Sequence, residues 1–147
     1  MIDRVGIARR APYALAVLRI VTGLLFLEHG SQKFLGFPPG DGSMSGLLFD
    51  NPGAFAGIIE LVAGVLITIG LFTRTAAFVA SGTMAVAYWM AHAPQDFFPV
   101  NNMGDAAILY CFAFLYLVFA GPGAWSVDGM MSRSRLDATE ERNAEAP

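Results

Sequence analysis

The sequence predicts an all-α integral membrane protein, a four-helix bundle with its N and C termini on the cytoplasmic side. Three observations carry that expectation. Of 147 residues, 55% are hydrophobic and only 14% are charged, whereas a soluble domain is usually about a quarter charged. Four apolar stretches come close to the roughly 20 residues a helix needs to cross a bilayer core. The basic residues are then distributed on one side of those stretches.

The first span is expected over residues 12–35, opened by Pro12, whose missing N–H costs nothing in a first turn. The second covers 53–72 and the third 74–92, joined by a tight turn at Thr73–Arg74, and the fourth covers 103–121, closed by Gly121-Pro122-Gly123. The stretch GFPPGDGSMSGLLFDNP between the first two spans is rich in Gly and Pro and reads as a loop. The segment APQDFFPVNNM joins the last two spans. Residues 1–131 form one membrane domain in this reading, and 132–147 a polar cytoplasmic tail expected to be disordered. Arg4, Arg9 and Arg10 ahead of an apolar run also suit a signal peptide, but Arg19 interrupts the run and no A-x-A-like cleavage site follows.

With four spans, Arg4, Arg9, Arg10, Arg74, Arg133, Arg135 and Arg142 share one side, while loops 36–52 and 93–102 hold no Lys or Arg. Basic residues stay cytoplasmic, so both termini are expected inside and the protein in a bacterial inner (plasma) membrane, multi-pass. A single cysteine, Cys111, excludes an intramolecular disulfide and any C-x-x-C redox or zinc motif. There is no flavin or dinucleotide fingerprint, no iron–sulfur or haem motif, and no basic stripe suited to nucleic acid.

The stretch FLEHGSQKFLG, Phe26–Gly36, puts Glu28, His29 and Lys33 near the outer end of the first span. Glu60 is the only charge in the second span, His92 ends the third, and Asn101, Asn102 and Asp105 stand at the start of the fourth. All four spans thus send polar groups to the outer half, and the inner half receives only Arg19. At 100° per residue, Arg19, Gly23, Phe26, Gly30 and Lys33 share a face, as do Gly53, Gly57, Glu60 and Gly64. Small residues allow helices to approach closely, so these two faces are expected to look inward. Ser81, Met84, Tyr88 and His92 align on the third helix, and Asp105, Phe112 and Tyr116 on the fourth.

Plainer roles are available to most of these groups. Lys33 either extends its amine to the headgroups or pairs with Glu60 or Asp105. Arg19 either extends to the cytoplasmic surface, bonds backbone carbonyls, or holds an anionic lipid or quinone headgroup. Asp105 suits a helix N-terminus, Tyr88, Trp89 and Trp125 suit interfacial belts, and Cys111 suits a small buried hydrophobe. Glu60 and His29 are harder to read that way: a carboxylate inside a membrane is by default a functional hypothesis, with a neutral Glu60 hydrogen-bonded to its neighbours as the structural alternative.

The pattern R-I-x-x-G-L-L-F-x-x-H-G-x-Q-K-x-x-G-F-P at Arg19–Pro38 resembles the DoxX family of small bacterial membrane proteins, as does E-L-x-A-G-x-L-x-x-x-G-L-F-T-R at Glu60–Arg74. Further matches follow in order: A-Y-W-x-A-H at Ala87–His92, F-P-x-x-N-x-G-D at Phe98–Asp105, L-Y-C-F-x-F-L-Y at Leu109–Tyr116 and G-P-G-x-W-S-x-D at Gly121–Asp128. The family is similar to the membrane subunit of thiosulfate:quinone oxidoreductase, with some members linked to sulfur metabolism and oxidative stress. The resemblance implies a subunit of a quinone-linked oxidoreductase system. In that reading Glu60, His29 and Lys33 do the proton chemistry, while Arg19, Tyr88, His92, Asn102, Asp105 and Phe112 contact the quinone. Electrons would come from a redox partner protein or a substrate. His29, His92, Glu60 and Asp105 have the side-chain types of bundle metal sites, but without E-x-x-H spacing and at different depths, so no metal is expected. The remaining class is a non-catalytic anchor, scaffold or small-solute carrier, with a structural polar cluster; transport would favour a homo-oligomer. Membrane lipid is the partner in every case.

Overall fold

The computed structural model describes residues 4–39 and 52–144. Among them all regular structure is helical: α1 (Arg4–Leu35), α2 (Pro52–Ile69), α3 (Thr73–Ala87), α4 (Pro99–Asn102), α5 (Asp105–Ala120) and α6 (Val127–Ala144). A π-helical turn at Tyr88–His92 continues α3 without a break. α1 packs along α2, α2 against α3, and α3 along α5, with α1 also meeting α5.

The glycine stripes explain the α1–α2 seam. A Cβ on Gly30 would lie 2.6 Å from the Leu61 backbone nitrogen, and one on Gly64 would lie 2.8 Å from the Leu27 backbone. The two backbones are therefore nearly in contact, as small-residue stripes permit. Phe26, Ile67, Ala77, Ala80, Met84, Phe114 and Leu117 form the core, where Phe26 meets Phe114 edge-on at 4.9 Å.

The molecule is apolar outside and partly polar inside. Arg19, Glu60, Ser81, Asn102 and Ser126 are buried, while Val17, Val21, Leu24, Val62, Val65, Phe78, Val86 and Phe119 are exposed. Exposed apolar surface on this scale suits contact with lipid. Among the described residues, Val5–Leu35 is long and apolar enough to cross a membrane, and Phe55–Ile69 and Asp105–Ala120 are shorter apolar helices.

Four boundaries differ from the sequence expectation. The turn expected at Thr73–Arg74 falls at Gly70–Phe72, between the end of α2 at Ile69 and the start of α3 at Thr73. Pro12 lies inside α1, which begins eight residues earlier, at Arg4. Its ring removes one helical N–H, and its carbonyl accepts the Ala124 N–H at 2.9 Å. The fourth long helix starts at Asp105, after the separate short turn of α4. The tail, expected to be irregular from residue 132, is helical through Ala144, although its residues from Met130 onward are exposed. Good helix formers, Asp128 in the first turn and Arg142 in the last explain a helix that polarity alone argued against. The loop 36–52 falls largely outside the described residues.

At one end of the molecule the Arg19 guanidinium ties three segments together. Its Nε donates to Pro122 O at 2.7 Å, one terminal nitrogen to Ile67 O and Thr68 O at 2.7 and 2.6 Å, and the other to Ala124 O and Trp125 O at 3.3 and 2.8 Å. All five N–H donors of the fork are used. Gly70, at φ 72°, admits this packing: a Cβ there would lie 2.5 Å from Ser126 Cβ. Arg74 donates to the carbonyls of Val118 and Phe119 at the end of α5.

Candidate functional site

At the opposite end, α1, α2, α3 and α5 enclose an open cleft of about 850 Å³. Its walls are mostly apolar, and its polar side chains are His29, Lys33, Glu60, Thr83, His92 and Tyr110. Glu60 is 3% exposed. Its two carboxylate oxygens each accept a hydrogen bond of 2.7 Å from Lys33 Nζ. The Lys33 side chain is 29% exposed, so the pair spans from the buried wall toward the surface. The glycines at 57 and 64 flanking Glu60 set the depth of that wall by letting α1 press onto α2.

His29 is an exposed residue of the wall, its ring edge-on to Tyr110 at 6.0 Å. The π-helical turn delivers His92: its wide backbone bond runs from Ala93 N to Tyr88 O, a distortion often found at functional positions. His92 Nδ1 lies 2.9 Å from Asn102 O. A carbonyl can only accept, so Nδ1 carries a hydrogen, which leaves Nε2 as the nitrogen that faces a ligand.

Four of the sequence-selected residues therefore share one cleft: Glu60, Lys33, His29 and His92. The other five do not line it, each for a visible reason. Arg19 stands at the other end with every donor spent on carbonyls, leaving nothing for a headgroup. Tyr88 stacks on His92 and fills the space beside Gly104, where a Cβ would lie 2.6 Å from its ring. Asn102 is buried and tied to Asp96 O and Gly104 N at 2.8 Å each, so it holds the loop and presents only its carbonyl to His92. Asp105 is exposed in the first turn of α5, where the helix dipole favours a negative charge. Phe112 is 64% exposed and points away from the core. The aligned face of Asp105, Phe112 and Tyr116 is thus outward, while Ala107, Phe114 and Leu117 face inward.

Tyr110 was missed by the sequence reading. It stacks on Phe114 at 5.7 Å and lines the cleft, edge-on to His29. The inward stripe Ala107–Tyr110–Phe114–Leu117, spaced three and four apart, was the available signal. Among the described residues no group of three His, Cys, Asp or Glu side chains is placed to hold a metal ion.

Residues 14–93 match the DoxX family model. An uncharacterised protein of Haemophilus influenzae is 46% identical over 120 residues, covering 80% of this chain and 90% of the relative. An uncharacterised membrane protein of Mycobacterium tuberculosis is 31% identical over 137 residues, covering 83% of each. The inner membrane protein YphA of Escherichia coli is 33% identical over 136 residues, covering 84% of this chain and 92% of the relative. No solved structure matches. The cleft, the apolar exterior and these similarities belong together: the chain is a membrane protein of the DoxX family.

Proposed function

We propose that the chain is a four-span, multi-pass protein of the bacterial inner membrane, with both termini cytoplasmic, serving as membrane subunit of a quinone-linked oxidoreductase system. One observation carries this reading: a buried carboxylate–ammonium pair and two histidines on the wall of an otherwise apolar, open cleft. The cleft volume of about 850 Å³ lies within the range of sites for drug-sized ligands. Apolar walls suit a lipid-soluble ring, and the polar groups suit its oxygens. Lys33 and the Tyr110 hydroxyl are the donors, and His92 Nε2 and Glu60 are the proton acceptors. A bound quinone would supply two-electron redox chemistry. The chain's part is to hold the ring, keep water from it and move protons through Glu60, His29 and Lys33. Electrons would be delivered by a redox partner protein.

Mass spectrometry of lipid extracted from the purified protein tests this. Wild type should retain quinone, and both Glu60→Gln and Ala106→Trp, which crowds the cleft from an exposed position on α5, should lose it. Equal quinone in all three would sink the proposal. The doubly bonded Lys33–Glu60 pair also favours a second reading, a non-catalytic anchor whose cluster is structural. That reading expects no quinone in any variant, wild type included.

A further inference from the structure

We propose that the segment from Asp96 to Met103 is seated in the membrane at the cleft end, its apolar side chains at the boundary between headgroups and acyl chains. The proposal rests on the membrane reading above and adds a lipid contact outside the four spans.

A connecting loop in water normally shows polar side chains and hides apolar ones. This one is largely reversed: Phe97 is 86% exposed and Met103 81%, with Phe98 and Val100 also exposed, while of its polar residues Asn102 is buried, Asp96 half-buried and Asn101 exposed. The loop also satisfies its own backbone. Phe98 N–H donates to Asp96 Oδ1 at 2.7 Å, Asn101 N–H to Phe98 O at 2.9 Å and Gly104 N–H to Asn102 Oδ1 at 2.8 Å. The Asn102 amide closes back onto Asp96 O. At that boundary water is scarce, so polar backbone groups bonded within the loop lower the cost of seating it there. No Lys or Arg occurs in residues 93–102. The patch also continues the exposed apolar surface of the α3 end through Trp89 and Met90, so lipid that covers one covers the other.

The placement has a mechanistic consequence. Met90 and Met103 are both exposed and both line the cleft, so with the loop in lipid the mouth between them opens into the bilayer. A lipid-soluble ligand would then enter sideways without passing through water.

The experiment attaches an environment-sensitive nitrobenzoxadiazole label to single cysteines in a Cys111→Ala background, in nanodiscs carrying spin-labelled lipids. Phe97→Cys and Val100→Cys are the test positions. Val21→Cys, exposed on α1, reports whether the helices are in the bilayer, and Ser134→Cys, exposed on α6, reports water. Expected at 97 and 100 are blue-shifted emission and loss of intensity to lipids labelled near the headgroup, with no loss to aqueous iodide. Iodide quenching at 97 and 100 with lipid quenching intact at 21 overturns the proposal and turns the patch over to a soluble protein partner. Absence of lipid quenching at 21 overturns the membrane reading itself.

Discussion

The Lys33–Glu60 pair ties the chemistry of the cleft to its stability. Removing one partner of a buried pair costs about 3–5 kcal/mol. Lys33 is 29% exposed on its side chain and reaches solvent when left alone, so Glu60→Gln should cost near the lower end, read as a fall in melting temperature in detergent. Lys33→Met/Glu60→Leu removes both charges and should recover most of that loss; a double variant less stable than the single one would refute the pairing argument. Arg19→Lys should be worse than either, because an ammonium cannot reproduce a planar fork that meets five carbonyls of two segments. Thermal unfolding that matches wild type would show those bonds to be dispensable. The sequence made the Lys33–Glu60 pair legible as one of the alternatives for Lys33, since helical phase put both residues inward in the outer half of the bundle. For Arg19 it offered backbone carbonyls as one alternative but not which ones, because backbone oxygens carry no residue signature; they belong to Ile67, Thr68 and the turn at Pro122–Trp125.

Between elements, the joint linking α2, α3 and α6 depends on a borrowed cap. Phe72, at the N-cap of α3, offers no side-chain oxygen. Asp128 supplies both, accepting the N–H groups of Phe72 and Thr73 at 2.8 and 2.9 Å. Partial burial pushes the Asp128 carboxyl upward, but the hydrogen bonds from Thr73 and Phe72, with the Arg19 charge nearby, outweigh it and hold the pKa below the ordinary value. With the folded value depressed, this group adds stability above the ordinary carboxylate range, and the contribution disappears as pH falls through the folded value. Asp128→Asn should therefore cost about 0.5–2 kcal/mol at neutral pH, the usual worth of a cap, and the gap to wild type should close in acid. A gap that widens on acidification would contradict the cap. Element faces were only partly legible. α1 and α2 declare theirs through glycine stripes, but α5 is apolar nearly all round, so Asp105–Phe112–Tyr116 and Ala107–Phe114–Leu117 are equivalent until packing chooses the second. The π-helical turn, which aims His92, has no signature in residue spacing at all.

For the whole molecule, orientation is the expectation most open to direct test. In intact cells a cysteine at Gln95, exposed at the cleft end, should react with an impermeant thiol reagent, and one at Ser134 on α6 should react only after lysis. The reverse pattern would put the cleft on the cytoplasmic face. The arrangement of Arg19 also imposes an order of events in biosynthesis. Its partners at Ile67 and Thr68 are 48 and 49 residues downstream, and those at Pro122 and Trp125 are 103 and 106. A ribosome delivering the chain N-terminus first hands the translocon a charged helix whose neutralising oxygens do not yet exist. α1 must therefore wait at the edge of the insertion channel, or keep water beside it, until the chain beyond α5 has emerged. Chains truncated before residue 122 and released from the ribosome should show α1 still extractable by alkali or open to quality-control proteolysis, and those truncated beyond residue 126 and released should not. Membrane integration is, on this view, a commitment made by the hairpin of α3 and α5 and the turn that follows it.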